Sequence, residues 1–214
     1  MTTRDQFALI GVLALACQAA ALCTAAESKA SAKKLPPPPW HTADIWWSFT
    51  ETTPHFESLD VDVTIDRDIS PTVNLYVSPC GLAKINGIPF YGGLQTAVNG
   101  WASKESRERV HPGPGAIFSR WSSDEKTKLS LDYVRMAQGG LCESAGYEGE
   151  FCSVRRPLPW KKGTYTWSIV RGDLEVLAGA PNTWFHCIVR DHATGALHCI
   201  GSLRFEGADF TFWA

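Results

Sequence analysis

The feature that most limits what this chain can fold into is the spacing of its apolar residues. Between Phe56 and Ile65 the sequence alternates. Leu59, Val61, Val63 and Ile65 fall on one side, and Ser58, Asp60, Asp62 and Thr64 on the other. A period of two belongs to a strand with one dry and one wet face, and a helix does not produce it. Val73, Leu75 and Val77 repeat the pattern, as do Leu129, Leu131 and Tyr133, then Tyr165, Trp167 and Ile169. Strands also fit Asp44 to Thr50, Ile85 to Val98, Thr183 to Asp191, Ala196 to Phe205 and Asp209 to Trp213. No window sustains a helical period. Roughly ten one-sided strands in one domain bury their dry faces by packing two antiparallel sheets face to face. The expected fold is all-β: an antiparallel two-sheet sandwich of jelly-roll or concanavalin-like form.

The N-terminus lies outside that pattern. Leu9 to Leu22 is almost wholly apolar and too short to span a bilayer comfortably. Small residues follow at Cys23-Thr24-Ala25. Residues 1–25 read as a secretory signal peptide. Ala14-Leu15-Ala16-Cys17 is a poor lipidation motif. Residues 26–40 form a leader that ends in Pro36 to Pro39, an extended polyproline stretch. The single sandwich domain is expected over residues 41–214. The chain is expected to be secreted to a periplasm, an envelope or the medium, with no transmembrane segment after cleavage. Its formal net charge is -2 with acids and bases interspersed. A basic stripe is missing, which argues against nucleic acid as a partner.

Five cysteines remain after cleavage: Cys80, Cys142, Cys152, Cys187 and Cys199. Secretion favours disulfides. Cys187 and Cys199 are equidistant from Ala193 and share the apolar side, so a simple hairpin places them opposite each other as a bridge. Cys142 and Cys152 are placed to close the loop from Glu143 to Phe151, leaving Cys80 single. Buried free thiols are the alternative. No Cys-x-x-Cys spacing points to a metal.

Four motifs follow one another in the middle of the chain. They are Tyr91-Gly92-Gly93-Leu94-Gln95-Thr96, Gly115-Ala116-Ile117-Phe118-Ser119-Arg120-Trp121, Gly146-Tyr147-Glu148-Gly149-Glu150-Phe151, and Trp160-Lys161-Lys162-Gly163-Thr164-Tyr165. In this order they resemble a bacterial family known as domain of unknown function 3472, the last motif being one residue short before Tyr165. The likeness runs from Ile85 to Arg171. It implies a secreted, lectin-like sandwich of the kind found beside carbohydrate-active modules, and it implies no particular activity.

The residues themselves point to sugar chemistry. Ile88, Phe90 and Leu94 share one face, and Tyr91 and Gln95 the other. Gly92 and Gly93 between them mark a bulge or a close approach of backbone or ligand. A tyrosine ring stacks on a pyranose, and a glutamine amide bonds its hydroxyls; packing under a loop is the rival reading. Arg120 and Trp121 are neighbours, so they face opposite ways. Trp121 is expected to cover the sheet, while Arg120 pairs with an acid such as Glu148 or reaches a ligand. Glu148 and Arg155 either present charge to a ligand or brace the loop as an ion pair. Trp101 is either a stacking platform or a plug for the end of the sandwich. The adjacent Trp46 and Trp47 offer one more stacking ring. His186 and His198 share a face, which falls short of a metal site without a third ligand. Asp60, Asp62, Asp66 and Asp68 make a structural Ca²⁺ possible in principle, although a solvated strand face accounts for them equally. No other cofactor is expected.

A Glu-x-Asp-x-x-Glu strand of the common sandwich glycosidases is missing, as is Gly-x-Ser-x-Gly. The expected function is a non-catalytic carbohydrate-binding or lectin-like domain with a glycan or polysaccharide as partner. The alternatives are a polysaccharide lyase or hydrolase, with Tyr91, Arg120, Arg155 and a histidine assembled as its site, and a structural surface protein that binds another protein.

Overall fold

The computed structural model describes residues 41–45, 48–124 and 126–214. The signal peptide over residues 1–25, the proline-rich leader over residues 26–40, and the Trp46-Trp47 pair lie outside the described residues. Two sheets carry the fold. The seven-stranded sheet runs in the order β1 (His41–Asp44), β3 (Leu75–Ile85), β4 (Ile88–Trp101), β5 (Arg109–Trp121), β8 (Phe151–Pro157) and β7 (Leu141–Ala145), with β12 (Phe212–Trp213) also on β3. The five-stranded sheet runs β2 (Ser58–Ile65), β9 (Gly163–Leu177), β10 (Ala180–Asp191), β11 (Leu197–Glu206) and β6 (Val134–Met136). The pairings are antiparallel except β1 on β3, which is parallel. Two three-strand meanders, β3–β4–β5 and β9–β10–β11, supply most of the two sheets.

The dry faces meet in one continuous cluster. Phe90, Leu94, Phe118 and Val154 come from one sheet, and Trp167, Ile169, Phe185, Leu203 and Phe205 from the other. Phe118 meets the Trp167 ring edge-on at 6.4 Å and stacks on Phe205 at 6.3 Å. Gly92 makes this packing possible. A Cβ there would lie 2.1 Å from the Trp167 ring, so only glycine leaves room for the indole. No helix among the described residues is long and apolar enough to cross a membrane.

Several local expectations change. The strand expected over Ile85 to Val98 is broken by Asn86 and Gly87, with φ of 49° and 76°. Two consecutive positive φ values make a tight hairpin turn whose twist matches the strands. Leu131–Tyr133 is a 3-10 turn, with the Ser130 side chain accepting from the Asp132 amide. Pro71–Val73 is a second. Short polar caps of this kind override a three-residue alternation.

The two expected disulfides are not formed, and all five of these thiols are free. The hairpin is centred between Ala193 and Thr194, which sets Cys199 opposite Ile188, and a bulge just beyond, between Cys187 and Ile188, sets Cys187 opposite Gly201. Cys187 is therefore in the core and Cys199 on the surface. In the β7–β8 hairpin Cys142 faces Val154 and Cys152 faces Ser144. Both point inward, two residues out of register. Burial pushes the Cys80 and Cys152 thiols up to about 12, which keeps them protonated and inert.

Candidate functional site

The face of the seven-stranded sheet that points away from its partner is unusually dry. Alternation from the core residues Phe90, Phe118 and Val154 sends Tyr91, Ser119 and Ser153 outward, and the register aligns them with Glu143 on β7. Gln95 and Arg155 project on the same side. An outward sheet face is ordinarily wet, yet Gln95, Ser119, Ser153, Arg155 and Glu143 are all buried.

Aromatic rings and the β7–β8 turn account for that burial. Tyr76 meets Tyr91 at 5.3 Å, Tyr91 meets Trp121 at 4.9 Å, and Tyr147 meets Phe151 at 5.2 Å. The turn arches over the sheet and is pinned there, because Trp121 Nε1 donates to the Glu148 carbonyl at 2.9 Å. Beside the arch is an open concavity of about 270 Å³. Tyr91, Gln95, Tyr147, Glu148, Phe151 and Arg155 line it, and Asp44 of β1 closes its edge.

Its electrostatics are organised around a buried carboxylate. Glu143 is fully buried and holds Arg155 at 2.5 Å. It also accepts from Arg109 and, at 3.2 Å, from the Tyr147 hydroxyl. Arg155 further donates to the Asn99 carbonyl. Burial raises the Tyr91 hydroxyl above its ordinary value, although Arg155 pulls the other way. Burial, then the Glu143 charge, pushes Tyr147 up to about 12. Both tyrosines therefore stay protonated and offer hydrogen bonds. Burial also raises Asp44. Gln95 is 5% exposed, and its Oε1 has no hydrogen-bond partner among the described residues; neither has Ser153 Oγ. Unpaired buried polar atoms are uncommon and costly.

Of the residues singled out in the sequence, the fold brings Tyr91, Gln95, Glu148 and Arg155 to one place. It takes Arg120 elsewhere. Arg120 alternates with Phe118 and lies between the sheets, fully buried, donating to the Arg204 and Trp121 carbonyls and pairing with Glu206 at 3.1 Å rather than with Glu148. Trp121 takes the outward place beside Tyr91. Trp101 packs against the core with the Arg107 guanidinium 5.2 Å above its ring, and it does not line the concavity. Gly93 leaves no patch open to a ligand. A Cβ there would lie 2.0 Å from the Val77 carbonyl, so the close approach is made by β3.

The bracing pair of the loop is Glu143–Arg155, and Arg156 instead bonds the Cys199 carbonyl at 2.7 Å. Sequence reasoning passed over Glu143, Tyr147 and Phe151. Phe151, Ser153 and Arg155 alternate on one face of β8, and that period was the available signal. His186 bonds Ser202 at 2.7 Å, while His198 sits opposite Val189 further along the hairpin. Three of the four aspartates have separate partners: Asp62 takes Thr166, Asp66 takes Arg67, and Asp68 takes the Lys162 amide. No group of three potential metal ligands occurs among the described residues. Compared with protein-family models and with curated proteins, the chain matches none.

Proposed function

We propose that this protein is a non-catalytic, lectin-like domain that holds a short glycan in the concavity of its seven-stranded sheet. The observation that carries the reading is the meeting of Tyr91, Gln95, Glu148 and Arg155 in one open hollow, with the Gln95 amide oxygen buried there and without a partner among the described residues. Sugar recognition needs an aromatic ring for the apolar ring face and fixed polar groups for the hydroxyls. Tyr91, Tyr147 and Phe151 supply the first; Gln95, Glu148 and the two tyrosine hydroxyls supply the second. The resemblance of residues 85–171 to the domain of unknown function 3472 family points the same way. So does secretion after loss of residues 1–25, which would bring the domain to extracellular polysaccharide.

A lyase would need a side chain that deprotonates near neutral pH. Burial moves Tyr91 and Tyr147 away from that condition. No histidine among the described residues lines the concavity. A glycan array tests the reading. Binding should fall at least roughly tenfold in Tyr91→Ala and Gln95→Ala, and stay unchanged in Trp101→Ala. Failure to bind any glycan, or binding indifferent to the first two variants, sinks it. Release of reducing ends or of new double bonds from a polysaccharide panel would replace it with an enzyme.

A further inference from the structure

The concavity has a charge of definite sign. Asp44 and Glu148 both line it, and neither makes an ion pair among the described residues. Among the described residues, Arg155 is the one cation lining the wall. Its charge is already matched by the buried Glu143 at 2.5 Å, and Arg109 shares that same carboxylate. Two arginines thus share one carboxylate, and among the described residues the wall sets two exposed, unpaired carboxylates against a single cation that is buried and held by Glu143.

The neutral groups add to this. Gln95 Oε1 is an acceptor without a partner on a residue 5% exposed. Tyr91, Tyr147 and Phe151 place aromatic rings on the same wall, and ring faces attract cations. Burial raises the Asp44 carboxyl, a cost that a bound cation would relieve.

We propose that the glycan bound here carries a free, protonated amine, as in a chain of hexosamine units without N-acetyl groups. The inference rests on the glycan-binding reading of the same concavity. An ammonium group has three donors and needs acceptors; Asp44, Glu148 and Gln95 Oε1 provide them. A uronate or sulfated sugar would bring its anion beside two exposed carboxylates, while the one cation of the wall is buried and held by Glu143, which is a repulsive balance that selects against it. A neutral sugar would fill the hollow and leave both charges unused.

The test is calorimetric titration of the full chain with four oligosaccharides of equal length: glucosamine, N-acetylglucosamine, glucose and galacturonate. A buffer slightly below neutrality keeps the amine charged. The glucosamine oligomer should bind roughly tenfold tighter than its N-acetylated form, with galacturonate weakest. Asp44→Asn and Glu148→Gln should each remove about threefold of that preference, the range of an exposed ion pair, and added salt should erode it. Both residues are exposed, so the variants keep the fold, which a thermal melt verifies. Neutral, N-acetylated or uronate sugar bound as tightly as the amine form overturns the inference and leaves glycan binding standing. So does an amine preference that survives in the double variant. Failure to bind any of the four overturns the inference and the glycan reading together.

Discussion

The seven-stranded sheet buries an arginine on each of its faces, and the two are held in different ways. Arg120 on β5 lies between the sheets. Carbonyls of Arg204 and Trp121 and the Glu206 carboxylate receive its donors, and the rings of Phe205 and Tyr133 lie 4.5 and 5.1 Å from its guanidinium. Protein closes around it on every side. Arg155 on the neighbouring strand is nearly as buried, and Glu143 and the Asn99 carbonyl hold it. One edge of it, however, lines an open hollow. Burial and pairing are alike in the two, so neither separates a structural arginine from a binding one. The separation comes from whether an outside molecule can reach the group.

The largest effects test that contrast directly. Arg120→Ala removes the partner of Glu206 and opens a hole beside Phe205. Urea unfolding should show a loss of about 3–5 kcal/mol, while the remaining folded protein binds glycan like the wild type. Lost binding with stability intact would break the contrast. Arg155→Ala leaves a fully buried carboxylate behind, but Arg109 still pairs with it. The expected loss is smaller, about 2–4 kcal/mol, and here binding should go as well. Arg155→Lys sharpens the point: it keeps the charge and loses the planar fork, so stability should return further than affinity. Gly92→Ala probes the closed face alone. The added methyl would meet the Trp167 ring at 2.1 Å and the Ile117 carbonyl at 2.8 Å. Overpacking of this kind costs about 1–3 kcal/mol and should leave binding unchanged in the folded fraction.

The contrast also shows which parts of the molecule the sequence could reveal. Period-two alternation placed Phe90, Leu94 and Phe118 in the core, and it put Tyr91 and Gln95 on the other face. It also showed that Arg120 and Trp121 must part. It did not say which of the two went inward, because an arginine held by carbonyls, a carboxylate and ring faces can be buried as an indole can. Only the inter-sheet packing decides that. The disulfides failed for a similar reason. Symmetric spacing about Ala193 assumes a turn centred on that residue, whereas the ladder is centred between Ala193 and Thr194 and sets Cys199 opposite Ile188. A single-residue shift leaves Cys187 in the core and turns Cys199 to the opposite face. Glu143 was out of reach because its role depends on Arg109 and Arg155, which are distant in sequence and meet only across three strands. The hairpin at Asn86-Gly87, by contrast, was visible as an Asn-Gly turn signal and was passed over.

Gln95 gives a smaller effect of opposite character. Its amide oxygen is buried with no partner among the described residues, which contribute nothing to its stability. Gln95→Leu keeps the volume and removes the orphan. Stability should stay within about 1 kcal/mol of the wild type or rise, while glycan affinity falls roughly tenfold. Destabilisation well beyond that range would mean that the amide is structural, and the outward face would then resemble the inward one.

The smallest effect is a pH dependence confined to the inner arginine. Burial opposes ionisation of Glu206, but the Arg120 charge outweighs it with help from backbone and side-chain hydrogen bonds, and the carboxyl sits below its ordinary value of 4.5. A carboxyl whose folded value is depressed adds stability above the unfolded value. That stability is lost as pH falls through the folded one. Glu206 is 47% exposed, so solvent screening limits the contribution to less than about 1 kcal/mol. Unfolding free energies of wild type and Glu206→Gln should differ by a constant amount above the ordinary carboxylate range. The difference should close as the pH drops below that range, where the wild-type carboxyl is protonated and resembles the amide. A difference that stays flat through that range would show that Arg120 is held by the carbonyls and rings alone. The inner site would then depend on packing, and the use of charge would belong only to the outer face, where Glu143 has no exposure through which solvent could screen it.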